Sequence, residues 1–326
     1  MKKKINLTAI IFLTLFTSLG CYKESLQSTS SLKKQSTLTE LFKNIAPPMQ
    51  SFFLIAGQTK TIVGEKGTNI TFYPNSFKKK DGSVLKSGNI QVVIQEMLTG
   101  PEMILAGKST VSDGKLLISG GQFYINATLN GEQLLVNNAA RPLVKVPSNQ
   151  NGTDMSLFKG NVTANDTIQG DSAINWEMKK DSIIFNLDSF YNSSGTVSLS
   201  WNYSFGFEEF GYYNCDRYYD WSAPKTEVKV KTPEGFDHTN TQVYVYFKSI
   251  NSVIKLEGYD KNLKTFFINH SEAPIGLEVT IVIVAKKDNK HYLEVKPNIT
   301  LTANYSTTSN PTESTEAAIK LAIKGL

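Results

Sequence analysis

From residue 50 to residue 305 the apolar residues come in short runs, none longer than a strand. That limits the fold more than any other feature of the chain. "SFFLIAG", "NITFYP", "NIQVVIQEML", "KLLISGGQFYINATL", "EQLLVN" and "PLVKVP" are β-branched or aromatic, and each is bounded by Gly, Asn, Asp or Pro. Such side chains fit a pleated, half-buried surface, and the boundary residues suit turns. "INWEM", "SIIFNL", "TVSLSWNYSF", "TQVYVYF" and "LEVTIVIVAKK" continue the pattern. In "TQVYVYF" the period of two puts Val243 and Val245 on one face and Tyr244 and Tyr246 on the other. Asp81-Gly82 and Asn130-Gly131 tolerate positive φ and favour tight hairpins. Regular spacing of this kind predicts an all-β fold with two β-sandwich-like domains. The run "VTIVIVA" at 279–285 has strand length and falls well short of the ~20 residues of a membrane-spanning helix.

The chain has 326 residues, enough for two cores, and 40% hydrophobic with 19% charged residues is a globular balance. Shifts in composition divide it. Residues 1–20 read as an export signal. Residues 21–48, rich in Ser, Thr, Lys and Gln, read as a flexible tether, with room for a brief helical turn near "LTELFKNI". A first β-sandwich domain is expected over 49–147, a connecting segment with short strands over 148–194, and a second sandwich-like domain over 195–305. Residues 306–326 read as a linker, "STTSNPT", and a short C-terminal helix with Ala317, Leu321 and Ile323 as its apolar positions.

The N-terminus, "MKKKINLTAIIFLTLFTSLGC", sets three lysines before an apolar run from Ile5 to Phe16 and small residues before Cys21. That is the order of an export signal. Ser18-Leu19-Gly20-Cys21 resembles the lipobox of bacterial lipoproteins, with Ser18 where leucine is usual. The resemblance implies cleavage before Cys21 and lipid on its thiol and its new amino group. One chain anchors only marginally, at about 0.8 kcal/mol per buried methylene, so the three chains typical of the class would hold the protein stably. With Cys21 lipidated, Cys215 has no disulfide partner in the chain.

Residues 67–134 resemble the ZU5-like β-domain. The resemblance rests on Gly67, Ile70, Phe72, Pro74, Phe77, Gly88, Ile90 and the pair Gly120-Gly121. The second half, with "FGYYNCDRYYDW" and "TQVYVYF", looks like that of uncharacterised lipoproteins of Bacteroidetes-type bacteria. Together these cover about 50–305. They imply architecture and an envelope location, lipid-anchored at the outer membrane, periplasmic or surface-exposed. Fold does not fix activity.

Chemistry concentrates in "GYYNCDRYYDW", 211–221. A nucleophilic Cys215 would need a base. The three histidines, His238, His270 and His291, all lie downstream and outside any recognisable motif, so a packed structural cysteine is the stronger expectation. No His-x-His or Cys-x-x-Cys spacing points to a metal, and "GKST" at 107–110 has Glu102 where a phosphate loop needs glycine. No cofactor is expected. The net charge of +5 includes Lys2, Lys3 and Lys4, and the run Lys78-Lys79-Lys80 reads as a solvated turn, so nucleic acid is not an expected partner. Glu208-Glu209, Asp216 and Asp220 leave paired carboxylates for sugar chemistry open. Two readings result. The first is a non-enzymatic, lipid-anchored envelope protein with a structural or protein-interaction role, its partners the membrane and an envelope protein. The alternative is a carbohydrate-binding or carbohydrate-processing surface lipoprotein. There Tyr212, Tyr213, Tyr218, Tyr219 and Trp221 would stack on sugar rings, with Asp216 and Arg217 hydrogen-bonding hydroxyls. The plainer expectation is that these aromatics fill a core, with Asp216 and Arg217 forming an ion pair. Ring direction separates the two.

Overall fold

The structure, a computed structural model, describes residues 38–148, 154–162, 174–180, 183–191, 197–220, 222, 224–268 and 273–326. The signal, Cys21, most of the expected tether and Trp221 lie outside the described residues. Strands of three or more residues are numbered here in chain order.

The fold is all-β, with sandwich-like, mostly antiparallel sheets and, among the described residues, three short α-helices. The first sheet runs β1 (Gln50–Ile55), β4 (Asn89–Met97), β5 (Lys115–Leu129), β11 (Gly211–Tyr218), β7 (Ser156–Val162) and β8 (Ile174–Met178). The second runs β9 (Ile184–Tyr191), β10 (Val197–Gly206), β6 (Leu143–Pro147), β3 (Asn69–Phe72) and β2 (Lys60–Val63). Period-two alternation turns Ile90, Val92, Ile94, Phe123 and Ile125 inward from the first sheet. Ile70, Phe72, Val144, Val146, Tyr203 and Phe205 meet them from the second.

A second sandwich follows. One sheet is β14 (Ser252–Lys255), β13 (Thr241–Phe247), β17 (Glu278–Lys287), β18 (Lys290–Thr300) and β20 (Thr312–Ser314). The other is β15 (Gly258–Asp260), β16 (Thr265–Phe267), β12 (Val228–Lys231) and β19 (Tyr305–Thr308), the last pair parallel. Val243 and Val245 face this core while Tyr244 and Tyr246 face a helical layer, as the alternation predicts. Every residue of β13 is therefore buried.

Three helices form that layer. Residues 38–45 make α1, whose Leu38, Leu41, Phe42 and Ile45 are buried at helical spacing. Residues 38–48 thus belong to the folded body and not to a tether. Helix α2 (Gly100–Leu105) carries Pro101 in its first turn, and Glu102 accepts from the N–H groups of Leu98 and Thr99. Helix α3 (Glu316–Lys324) is capped by the Thr315 hydroxyl, which accepts from the Ala318 N–H at 3.1 Å. It forms where expected, but of its three expected apolar positions only Ile323 is buried. Ile319 and Ile323 are buried, Ala317 is exposed, and Leu321 is 75% exposed.

Two further corrections concern the divisions of the chain. Strands β10 and β11, expected in the second domain, hydrogen-bond into the first sandwich: β10 pairs with β6, and β11 with β5 and β7. Their inward residues, Tyr203, Phe205, Tyr213 and Cys215, are part of that core. "STTSNPT" is not a linker. Tyr305–Thr308 pairs with β12, and Ser309 is buried with its hydroxyl donating to the Lys231 carbonyl at 3.0 Å. The sandwiches are joined at Asn251. Its side chain accepts from the Gly100 N–H at 2.7 Å and donates to the carbonyls of Leu98 at 3.0 Å and Ser119 at 3.1 Å.

Candidate functional site

Strand β11 carries the residues that the sequence singles out, and pleating sorts them to two faces. Tyr213 and Cys215 point into the first sandwich core. The Tyr213 ring lies 5.7 Å from both Phe123 and Phe207, and its hydroxyl donates to the Glu209 carbonyl at 2.6 Å. Tyr212, Asn214, Asp216 and Tyr218 face the other way, beneath covering layers. Tyr212 packs at 4.7 Å on Tyr124 with the Lys108 ammonium 5.0 Å above its ring, and burial pushes its hydroxyl pKa up to about 12. Tyr218 meets Phe158 edge-on at 5.5 Å. Tyr219 is buried in the sandwich core. The described rings do not form one solvent-facing strip.

The register of β11 shifts against β5 between Asn214 and Asp216, where Gly120 and Gly121 form the bulge. Gly121 takes φ +122°, and a Cβ on Gly120 would sit 2.6 Å from the Cys215 carbonyl oxygen. The glycine pair is thus a bulge inside the strand.

Asp216 is fully buried, and Asn214 Nδ2 donates to its Oδ2 at 2.5 Å. Burial pushes its carboxyl well above the ordinary 3.8, and the Ser119 hydroxyl and Gly120 N–H draw it part of the way back. The expected Asp216-Arg217 ion pair does not form, because neighbouring residues on a strand leave by opposite faces. Arg217 instead meets Asp154 at the rim, at 3.4 Å. Cys215 is sealed as well. Desolvation first, and then the neighbouring Asp216 carboxyl, raise its thiol well above 9.0. His238 packs on Tyr259 and His291 pairs with Glu316, both in the second sandwich.

At the head of β11 lies a cleft of about 520 Å³ between the 207–211 loop and the β5 hairpin arm. Tyr124, Asn126, Gln133, Leu135, Glu208, Glu209 and Phe210 line it. Lys159, inside the sandwich on β7, holds the loop: its ammonium donates to the Phe210 carbonyl at 2.7 Å and lies 3.9 Å from the Glu209 carboxylate. It also lies 4.6 Å from the Tyr213 ring centre. Burial lowers the Lys159 pKa to about 8, with Glu209 opposing the shift. Gly211 has to be a glycine here, since it takes φ +135° and a Cβ would approach the Lys159 ammonium to 2.7 Å. Glu208 pairs with Arg141. Gln133 donates to Asn126 Oδ1 at 2.5 Å, fixing the amide.

The sequence marks Glu208 and Glu209 as a carboxylate pair. It gives no sign of Tyr124, Asn126 and Gln133, which reach the cleft only because β5 pairs with β11. No group of acidic, His or Cys residues among those described is arranged to hold a metal ion, and no described helix is long and apolar enough to cross a membrane. No protein-family model matches the chain, and no curated protein matches it.

Proposed function

We propose that this is a lipid-anchored cell-envelope protein, tethered through Cys21 at the outer membrane, with a structural or protein-interaction role and no catalysis of its own. The observation that carries the non-catalytic part is the fate of the reactive residues of β11. Cys215 and Asp216 are fully buried on opposite faces, and both are pushed toward their neutral forms. A nucleophile needs its ionised form and a path to substrate. The anchor rests on the lipobox-like "SLGC" and its preceding apolar run. The first sandwich is read as ZU5-like, and the whole as similar to Bacteroidetes-type lipoproteins, on the residues that carry those resemblances.

Chemical cross-linking of the intact lipidated protein in its native envelope tests the interaction role. Purification is expected to recover one envelope partner at a fixed ratio. Recovery of the uncross-linked chain alone, at cross-linker levels that capture known envelope complexes, would count against it.

A further inference from the structure

We propose that the cleft at the head of β11 binds a neutral carbohydrate of one or two sugar rings. The inference does not depend on the lipid anchor. It also moves sugar recognition away from the 212–221 strand face, whose described rings are buried or half-buried under neighbouring side chains. The cleft's volume of about 520 Å³ falls within the roughly 300–1,000 Å³ typical of small-ligand sites. Its lining is mixed. The Tyr124 and Phe210 rings and Leu135, which is 45% exposed, offer apolar surface, while Asn126, Glu208 and Glu209 supply polar groups.

That lining discriminates among ligand classes. An anion would meet two carboxylates, and the nearest cations already have partners: Lys159 holds the Phe210 carbonyl and Arg141 holds Glu208. An acyl chain would strip water from the carboxylates without replacing their hydrogen bonds. A lone metal ion would find each carboxylate already beside a cation, Glu208 paired with Arg141 and Glu209 3.9 Å from Lys159. A sugar fits all the groups at once. Its hydroxyls donate to carboxylate oxygens, its oxygens accept from an amide, and its C–H face lies on an aromatic ring.

The site is also held in shape. Asn126 Oδ1 accepts from both Gln133 Nε2 and the Ala127 N–H, which fixes the amide plane and turns its NH₂ away from those contacts. The loop carrying Glu208 and Glu209 is fixed by the Lys159 ammonium and by the Tyr213 hydroxyl, which donates to the Glu209 carbonyl. Preorganisation of this kind lowers the entropy lost on binding.

The test uses the full chain in detergent, an array of neutral and anionic di- to hexasaccharides, and the variants Glu209→Gln, Tyr124→Ala and Trp221→Ala. At least one neutral glycan is expected to bind, with about tenfold weaker affinity, roughly 1.4 kcal/mol, in Glu209→Gln and in Tyr124→Ala. Glu209 is 77% exposed at its side chain, so its variant keeps the fold and remains decisive if Tyr124→Ala does not. The proposal is overturned if no neutral glycan binds, or if only anionic glycans or a lysine-rich peptide bind. It is equally overturned if Glu209→Gln binds like the parent, or if Trp221→Ala alone abolishes binding.

Discussion

Asp216 and Arg217 are adjacent in sequence, yet one is sealed inside the protein and the other reaches its rim. The period of two decides this, and among the described residues no cation pairs with Asp216 to keep it ionised. Its folded pKa therefore lies above the ordinary 3.8, and the native state retains a proton that the unfolded chain has lost. The resulting stability is fully present below about pH 4 and is lost as pH rises toward the folded value. Asp216→Asn preserves shape and removes the titration. In urea unfolding, the midpoint of the parent relative to that of Asp216→Asn is expected to fall between pH 4 and pH 8. Parallel midpoints across that range would contradict the buried neutral acid. None of this is legible in "CDRYYD" itself, because side-chain direction is local but burial is not.

Helix α3 shows how far a local pattern carries at the scale of the element. Its apolar residues announce a helix, and Thr315 and Lys324 mark its ends as capping chemistry predicts. Which stripe is buried depends on what it docks against. Ile319 and Ile323 meet the outer face of the β13 sheet with α1 and α2, and Leu321 is left in solvent. Ile319→Ala is expected to cost about 3 kcal/mol, and Leu321→Ala less than about 0.5 kcal/mol, by chemical denaturation. Equal costs would show that the helix packs by the other face. Strands were the most legible elements. The alternation in "TQVYVYF" correctly assigns its faces, and Asn130-Gly131 takes the paired positive φ of a tight hairpin turn. Helix α1 was half legible. Its four apolar residues allow a turn, but what they cover, the tyrosine face of β13 and the neighbouring helices, is supplied by distant parts of the chain.

Across the whole molecule the sequence suggests sandwiches but not which strands share a sheet. Composition places a boundary near 148, whereas β10 and β11 cross it to complete the first sandwich. Pairing between distant strands leaves no periodic trace, because each strand specifies a face and not a partner. The cleft is invisible in sequence for the same reason: Glu208 and Glu209 meet Tyr124 and Asn126 only through the β5–β11 register. Among the described residues the folded body starts at Leu38, and its N-terminal helix is packed against the second sandwich. In the proposed arrangement, the residues between Cys21 and that helix join the body to its lipid.

Lipid on Cys21 is proposed to hold this body in the envelope, and fractionation of cells expressing the parent or Cys21→Ser reads that out. The parent is expected in the membrane pellet after a high-salt wash, and Cys21→Ser in the soluble fraction. Equal retention of both in the washed membrane would show that lipid on Cys21 does not hold the protein there.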